Sequence, residues 1–250
     1  MSGLEKAHTE KKALQIHKSA REDNRKRFEA QLDALHNKYV KQIIAHAKTA
    51  YPKDAASREK SIGSFEATMS KLVSALHRDL DATIKLNVIK SFTDGKRALG
   101  AAFNQVDEHA ITAMLVTDRT LDAVKDFSQA QREGFKQVIM DAYDKGLDEN
   151  RMAKEMREFA DTETYKLERI ARTESNKFSN RGRIAGYKDL EDRRDTEYEY
   201  EIVDAEDDRE CDLCTSIADS GPYSLDEAMK ALDGGTVHCN CRCNIVRVVK

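Results

Sequence analysis

The chain has 250 residues, a formal net charge of −3, 35% charged residues, two prolines and no tryptophan. Its length suffices for one large or two modest domains, and its composition favours long amphipathic helices over a β-sandwich or a parallel sheet. No apolar run approaches the ~20 residues that a membrane-spanning helix requires, and the N-terminal sequence lacks the apolar stretch of a signal peptide. The sequence therefore predicts a soluble protein that is made in a cytoplasm.

Charge is distributed unevenly along the chain. Residues 1–60 carry 14 Lys or Arg against 8 Asp or Glu, whereas residues 191–250 carry 7 against 16. A basic arm at residues 1–60 favours contact with a polyanion or with an acidic partner surface. Because acidic residues interrupt the same stretch, a solvated helix face explains it equally well. The candidate contact residues are Lys11, Lys12, Lys18, Arg21, Arg25, Lys26 and Arg27.

Helical periodicity dominates the first part of the chain. Apolar residues spaced by three and four predict one long helix or a broken pair over the first fifty residues, ended by Pro52. A second and clearer helix is predicted to open at Gly63 and to present its apolar stripe to a core or a partner helix. That stripe consists of Phe65, Met69, Leu72, Val73, Leu76 and Leu80.

Several turn-forming residues predict helix ends. The segments Thr93-Asp-Gly95 and Val116-Thr-Asp-Arg119 are typical of breaks, with Thr117 or Asp118 capping the helix that follows.

Further ends are predicted towards the middle of the chain. Gly146 should end the next helix in a left-handed conformation, and Asp148 should cap the one after it. Another helix is predicted to run from Thr162 towards Gly182 or Gly186.

The period changes after residue 195, where Tyr198, Tyr200 and Ile202 alternate with polar residues and predict a strand. Residues 245–249 offer a second strand to pair with it. The predicted fold class is mainly α, with long N-terminal helices, a further helical region and a small α+β C-terminal unit. The predicted domains are a helical N-terminal region at 1–118 and a C-terminal domain at 119–250.

All five cysteines lie in the last forty residues. Cys211 and Cys214 form a C-x-x-C pair, the spacing by which two thiolates bind one metal ion, and His238 and Cys241 repeat that offset. An odd number of cysteines without a secretory signal argues against disulfides. Reduced thiols that are merely packed would not gather in one segment by chance. The pattern therefore predicts a structural zinc site within residues 207–243.

The exact ligand set stays open at this point. Alternate residues of a strand face the same way, so Cys243 is an alternative to His238, and Cys239 is then the spare thiol. The favoured ligands are Cys211, Cys214, His238 and Cys241.

Charged residues near the cysteines admit two interpretations. Arg172 and Glu174 are two apart, so on a helix they point to different sides and each needs its own partner. They are either surface charges or buried charges that orient the C-terminal unit or line an active site. Asp207 and Arg209 are expected to make hydrogen bonds that fix the C-x-x-C pair, as residues around metal ligands commonly do. These four residues form the predicted structural polar network.

Three motifs occur here in a characteristic order: Ala-Arg-Thr-Glu at 171–174, Asp-x-Arg-x-Cys-x-x-Cys at 207–214 and His-x-x-Cys-Arg-Cys at 238–243. Together they resemble the phage Mu F-like head morphogenesis family of minor capsid proteins associated with the portal. The resemblance covers about residues 120–245. The chain departs from it at Cys239-Asn240, where the family usually has Pro-Asn. It also departs ahead of residue 207, where only a tyrosine can fill a position that is commonly Trp.

The resemblance implies a minor head protein that joins the portal during capsid assembly in the host cytoplasm and then lies in the virion, inside the capsid at the portal vertex. The implied partners are the portal protein, packaged double-stranded DNA contacted without sequence preference, and scaffold or major capsid protein, with no membrane. The implied role is to assist head completion or genome delivery.

Two other functions compete with this one. The polar network and His238 could form the site of a nuclease or a toxin-like group-transfer enzyme. The sequence contains no phosphate-binding glycine loop, no G-x-S-x-G and no H-E-x-x-H. A histidine bound to metal cannot also act as a general base, and a closed four-ligand site leaves no position for an activated water. We therefore predict no catalytic residues and no enzymatic activity. The remaining alternative is a generic zinc-binding adaptor.

Overall fold

The computed structural model describes residues 3–51, 57–99, 107–117, 120–204 and 211–248, and describes side chains from residue 21 onward apart from 58–59, 115–117 and 120. Helices dominate these ranges, and one two-stranded antiparallel ribbon lies near the C-terminus. The predicted fold class, mainly α with a small α+β C-terminal unit, is confirmed. None of the helices in these ranges is both long and apolar enough to span a lipid bilayer.

The elements are named in chain order. They are α1 (Gly3–Ala50), α2 (Arg58–Arg97), α3 (Glu108–Thr117), α4 (Thr120–Asp144), α5 (Glu149–Arg194), β1 (Tyr200–Val203), α6 (Asp212–Asp219), α7 (Leu225–Ala231) and β2 (Asn244–Arg247).

Helix α1 is one continuous helix, which decides between the two predicted arrangements of the first fifty residues. It ends at Ala50, two residues before Pro52, and Pro52 itself lies outside the described residues. Most of its larger apolar residues between 28 and 47 are buried, as the spacing predicted, and Leu35 is half-buried.

Helix α2 corrects two predicted boundaries. It begins at Arg58, more than a turn before the predicted start at Gly63, and it continues through residues 93–95 to Arg97 instead of breaking there. The apolar stripe that starts at Phe65 is mostly buried, and the prediction that it packs in a core is confirmed.

The glycines that suggested breaks serve a close helix contact instead. A Cβ added at Gly95 would lie 2.1 Å from the carbonyl oxygen of Ser179, and one at Gly182 would lie 2.0 Å from that of Phe92. Both contacts join α2 to α5. Glycine is required here because two backbones approach each other, and both helices continue through the contact.

Helix ends near the middle of the chain follow the sequence more closely. Gly146 follows α4 with a φ of +66°, as predicted for a left-handed C-terminal residue. The carboxylate of Asp148 accepts hydrogen bonds of 2.9 Å from the backbone N–H groups of Asn150 and Arg151, so the predicted cap of α5 is also confirmed.

Helix α3 ends at Thr117 and α4 begins at Thr120, and residues 118 and 119, on which the predicted break falls, lie outside the described residues. Asp118, the other predicted cap, lies outside the described residues. Helix α5 corrects the predicted start at Thr162 and the predicted ends at residues 182 and 186, because it runs unbroken to Arg194.

The chain folds into two compact units, and the long helices α1, α2 and α5 each contribute to both. Unit 1 contains residues 1–28, 85–114 and 171–250, and unit 2 contains residues 29–84 and 115–170. Each unit takes residues from both sides of residue 118. The predicted domain boundary at 118/119 stays a prediction. Unit 2 has an apolar core from α1, α2, α4 and α5.

The core of unit 1 surrounds the C-terminal ribbon. Strands β1 and β2 pair antiparallel, with Tyr200 opposite Arg247 and Ile202 opposite Ile245. Tyr200 also exchanges two backbone hydrogen bonds of 2.8 Å with Tyr223. The alternation that predicted the first strand is confirmed, and Tyr200, Ile202 and Ile245 are buried.

Candidate metal centre

The first half of the cysteine cluster is built on the start of helix α6. Cys211 is the N-cap residue of this helix, with φ −111° and ψ 151°, and Cys214 lies three residues later in the first turn. Residues three apart at a helix start lie on the same side, so both thiols face one region. Cys214 is buried and Cys211 is partly exposed.

The second half comes from the loop that precedes β2. The backbone N–H of Cys241 donates to the carbonyl of His238 at 3.1 Å, which closes a tight turn around Asn240 at a φ of +62°. The N–H of Asn240 donates to the hydroxyl of Thr173 on α5 at 3.1 Å. This turn holds His238 and Cys241 on one side of the loop, and Cys241 and Cys243 are buried.

The structure brings all five predicted ligands together. The potential ligand atoms of Cys211, Cys214 and His238 lie within 4.8 Å of one another, and so do those of Cys214, Cys241 and Cys243. Cys214 belongs to both groups and is the centre of the cluster. Cys239 is exposed and belongs to neither group, as expected of the spare thiol.

The imidazole of His238 is oriented for ligation. Its Nε2 lies 3.2 Å from the sulfur of Cys211 and 3.1 Å from that of Cys214, while its Nδ1 lies 2.6 Å from the carbonyl oxygen of Cys239. A hydrogen bond from Nδ1–H to that carbonyl fixes the tautomer in which Nε2 carries the free lone pair. The nitrogen able to bind a metal ion therefore points at the thiols.

The surroundings of the thiols give them different pKa values. The Cys243 thiol donates to the Cys241 sulfur and lowers the pKa of Cys241 to about 5. The Cys214 backbone at the start of α6 likewise lowers the pKa of Cys211, whereas burial raises the pKa of Cys214 to about 12. A hydrogen bond to the Cys239 backbone raises the pKa of His238. The cluster thus holds two thiols of lowered pKa, Cys211 and Cys241, beside the buried thiol of Cys214, which needs a cation nearby to ionise.

The donor set fits a soft divalent ion with four ligands. A tetrahedral ion with metal–sulfur bonds of about 2.3 Å holds its ligand atoms roughly 3.5–3.8 Å apart. The two overlapping groups lie within that reach, and sulfur with imidazole nitrogen is the donor chemistry of structural zinc and not of calcium or magnesium. The residues present could therefore hold a metal ion.

Helix α5 holds the second half of the cluster through backbone carbonyls. The side-chain amide of Asn180 donates to the carbonyls of Gly235 at 2.8 Å and Cys243 at 2.9 Å, and that of Asn176 donates to the Cys243 carbonyl at 3.2 Å. Both asparagines are buried. Arg183, one turn further, donates to the Ile245 carbonyl at 3.4 Å.

These three residues were not predicted from the sequence as site residues. Asn176, Asn180 and Arg183 follow one another by four and three, which places them on one face of a helix. A polar face of this kind, beside the buried positions Ile184 and Tyr187, was the signal that could have identified them.

The structure describes two of the four residues of the predicted polar network, Arg172 and Glu174. Glu174 is buried, and its carboxylate lies 3.7 Å from the ammonium group of Lys177. Arg172 lines a cavity of about 510 Å³ together with His238 and Cys241. Asp207 and Arg209 lie outside the described residues, so their predicted hydrogen bonds stay a prediction.

The candidate contact residues of the basic arm differ in their surroundings. Arg21 donates through Nη1 to the amide oxygens of Asn176 at 2.8 Å and of Asn244. Arg25 pairs with Glu22. Lys26 and Arg27 are exposed, and the side chains of Lys11, Lys12 and Lys18 lie outside the described residues.

Residues 133–246 match the model of the family described as phage Mu protein F like protein. The match contains all of α5, the whole cysteine cluster and the ribbon except Arg247, and it confirms the resemblance that the three motifs carry. No curated protein and no solved structure matches the chain.

Proposed function

We propose that this chain, whose residues 133–246 match the model of the phage Mu protein F like family, is a minor head protein of a phage virion that joins the portal vertex during capsid assembly. The main support for this proposal is the position of the family match, which contains the cysteine cluster and helix α5. The proposed partners are the portal protein, packaged double-stranded DNA, and scaffold or major capsid protein.

Co-purification with the portal protein of the same phage tests the main proposal. The full-length chain should be captured by portal rings at low salt and retained at least in part at high salt. Because a generic zinc-binding adaptor has no reason to bind a portal ring or to be present in packaged particles, absence from both would favour the adaptor instead.

We further propose that the metal held by the cluster is zinc and that its role is structural. The support is the donor set, two groups of thiols and one imidazole nitrogen that share Cys214. Protein purified under reducing conditions should contain about one zinc per chain. Protein without metal under those conditions would contradict the proposal.

A pair of matched cysteine variants tests the role of the metal. Cys214→Ser removes the shared ligand and should abolish zinc binding and unfold the C-terminal part of unit 1, because the binding free energy of a structural zinc ion is folding free energy. Cys239→Ser removes an exposed thiol outside both groups and should change neither. Equal metal content in the two variants would count against the proposed site.

DNA contact is proposed to be directed at phosphates and independent of sequence. Lys26 and Arg27 are exposed cations in the part of the basic arm whose side chains the structure describes. Replacing both with glutamine should weaken binding to any duplex and lower the salt slope by about two, since each phosphate contact contributes about one. The double variant of Lys125 and Arg132, exposed cations of α4 outside residues 1–60, is the control. Equal losses in both variants would contradict a specific role of the arm.

We also propose that the polar residues near the cluster are not catalytic. His238 has Nε2 facing two thiols and Nδ1 facing a carbonyl, so neither nitrogen is available as a general base. The proposal predicts no cleavage of DNA or RNA by the purified chain. Nuclease activity that is lost on Glu174→Ala would overturn it.

A further inference from the structure

A cavity of about 440 Å³ lies within unit 1, where α1, α2 and α5 face one another. Its lining contains five cationic side chains against two carboxylates, those of Asp23 and Asp94. The cations are Arg21, Arg27, Lys90, Arg97 and Arg183. Arg27, Lys90 and Arg97 are exposed at its rim, whereas Arg183 is only 6% exposed.

Arg183 is the unusual member of this set. Its Nε is buried without a hydrogen-bond partner, and its Nη1 has one long hydrogen bond of 3.4 Å to the Ile245 carbonyl. Among the described residues no carboxylate forms a salt bridge with it. A buried guanidinium without a counter-ion is costly, because desolvation is not offset by an opposite charge.

A second arginine increases the positive potential at the same place. Arg21 lies close enough to Arg183 for the two charges to repel, and burial together with this repulsion lowers the pKa of Arg21 to about 10. Burial also lowers the pKa of Arg183. Glu22 and Cys241 supply opposing charge to Arg21, and the Tyr187 hydroxyl opposes the effect of burial at Arg183.

The carboxylates of the lining do not supply the missing charge. Asp94 accepts a hydrogen bond of 2.5 Å from the side-chain amide of Asn24, and Asp23 is exposed. Ser91 and Ser179 also line the cavity, and both residues are buried. Guanidinium groups and hydroxyls around one space are the donors that proteins use for tetrahedral oxyanions.

We propose that this cavity binds a phosphate group, with Arg183 as the buried donor and Lys90 and Arg97 as rim cations. The phosphate is either free inorganic phosphate or a backbone phosphate of a nucleic acid that reaches the cavity from its rim. Arg21 and Arg183 also contact the segment that follows Cys243, but the site does not depend on the proposed role in the phage head.

Titration of the full-length chain with inorganic phosphate in chloride buffer tests this site, followed by calorimetry or by the ³¹P resonance. Wild-type protein should saturate with a dissociation constant at or below the millimolar range. Arg183→Gln should weaken binding about tenfold or more, because it removes a charge-assisted donor. Arg157→Gln, which makes the same charge change at an exposed position of unit 2, should leave binding unchanged.

A second variant keeps the test decisive if Arg183→Gln does not fold. The double variant of Lys90 and Arg97 to glutamine changes only exposed side chains and should weaken phosphate binding about threefold or more. Absence of saturation by about 10 mM phosphate in the wild type would overturn the proposal. So would unchanged affinity in a folded Arg183→Gln or in the rim variant.

A short DNA duplex distinguishes the two sources of phosphate. If the site takes a backbone phosphate, inorganic phosphate should compete with the duplex and Arg183→Gln should weaken duplex binding. If the duplex binds equally well to Arg183→Gln while phosphate does not, the site takes free phosphate. Neither arm requires portal or capsid protein, so a failure here and a failure of the proposed head function are separate results.

Discussion

Replacing Asn180 with alanine tests how helix α5 holds the C-terminal segment. The Asn180 side chain is fully buried and donates to the carbonyls of Gly235 and Cys243 at 2.8 and 2.9 Å. In the variant the Cys243 carbonyl keeps the amide of Asn176, at 3.2 Å, but the Gly235 carbonyl loses this donor. The two losses are therefore unequal.

The expected magnitude follows from that asymmetry. A buried carbonyl left without a donor costs about 1–3 kcal/mol, and losing one of two donors costs about 1 kcal/mol. The free energy of unfolding of unit 1 should therefore fall by about 2–4 kcal/mol. Chemical denaturation measures the total, and faster amide hydrogen exchange at residues 234–246 should localise it.

Two comparisons make the result interpretable. Asn150→Ala removes an exposed hydrogen bond with Lys48 in unit 2 and should cost less than about 0.5 kcal/mol. Asn180→Asp keeps the shape of the side chain but replaces the donor with an acceptor beside two carbonyls, so it should destabilise at least as much as alanine. Stability close to that of the wild type in Asn180→Asp would refute the reasoning, because donation could not then be what the residue supplies.

Two further predictions concern other parts of the fold. Burial lowers the pKa of His36, whose Nε2 lies 3.0 Å from the Gln131 side-chain oxygen, so the unfolded chain binds a proton first as the pH falls. Neutral His36 should contribute its full share of the free energy of unfolding above about pH 6.5. That share should be lost as the pH falls towards the lower pKa of the folded state, by at most about 1.4 kcal/mol per pH unit. Unfolding midpoints that fall equally in wild type and His36→Gln would contradict this. Gly95→Ala places a Cβ 2.1 Å from the Ser179 carbonyl oxygen and should destabilise by about 1–3 kcal/mol, whereas Gly63→Ala, with nothing within 4 Å, should stabilise by about 0.5–1 kcal/mol in thermal melts. Equal melting temperatures for the two glycine variants would show that α2 and α5 separate at little cost.

Local sequence patterns predicted the structure correctly where a single helix, strand or turn determines it. The stripe that begins at Phe65 has a period of 3.6, the strand at Tyr200 has a period of 2, and each pattern is compatible with only one secondary structure. The cap at Asp148 and the left-handed Gly146 depend on a few neighbouring residues. The C-x-x-C pair likewise needs only the first turn of α6.

Sequence patterns predicted the wrong structure where a residue packs against a segment that is distant in the sequence. Gly95 and Gly182 read as helix breaks because glycine is among the weakest helix formers. In the fold each lies where another backbone comes closest, and the packing of α2 on α5 compensates the lower propensity. A single sequence does not reveal that contact, so α2 and α5 were predicted to be shorter than they are.

The same limit applies to the metal centre. The sequence could identify the thiols, because their spacing within each pair is local, but not the support that holds the two pairs together. That support comes from α5, where Thr173 accepts from the backbone of the His238 turn and Asn176 and Asn180 donate to Cys243. The family match spans the helix and both pairs, as expected if the three form one structural unit.

Cys243 belongs both to the candidate metal centre and to the hydrogen bonds that α5 makes with the C-terminal segment. Its sulfur belongs to one group of candidate ligands, and its carbonyl accepts the amides of Asn176 and Asn180 on α5. An ion bound to the sulfur restrains the same residue that the amides restrain through the backbone, so each interaction lowers the entropy cost of the other. Coupling between two equilibria is reciprocal. Asn180→Ala should therefore weaken metal affinity by the same factor by which metal removal weakens the hydrogen bonds of Asn180.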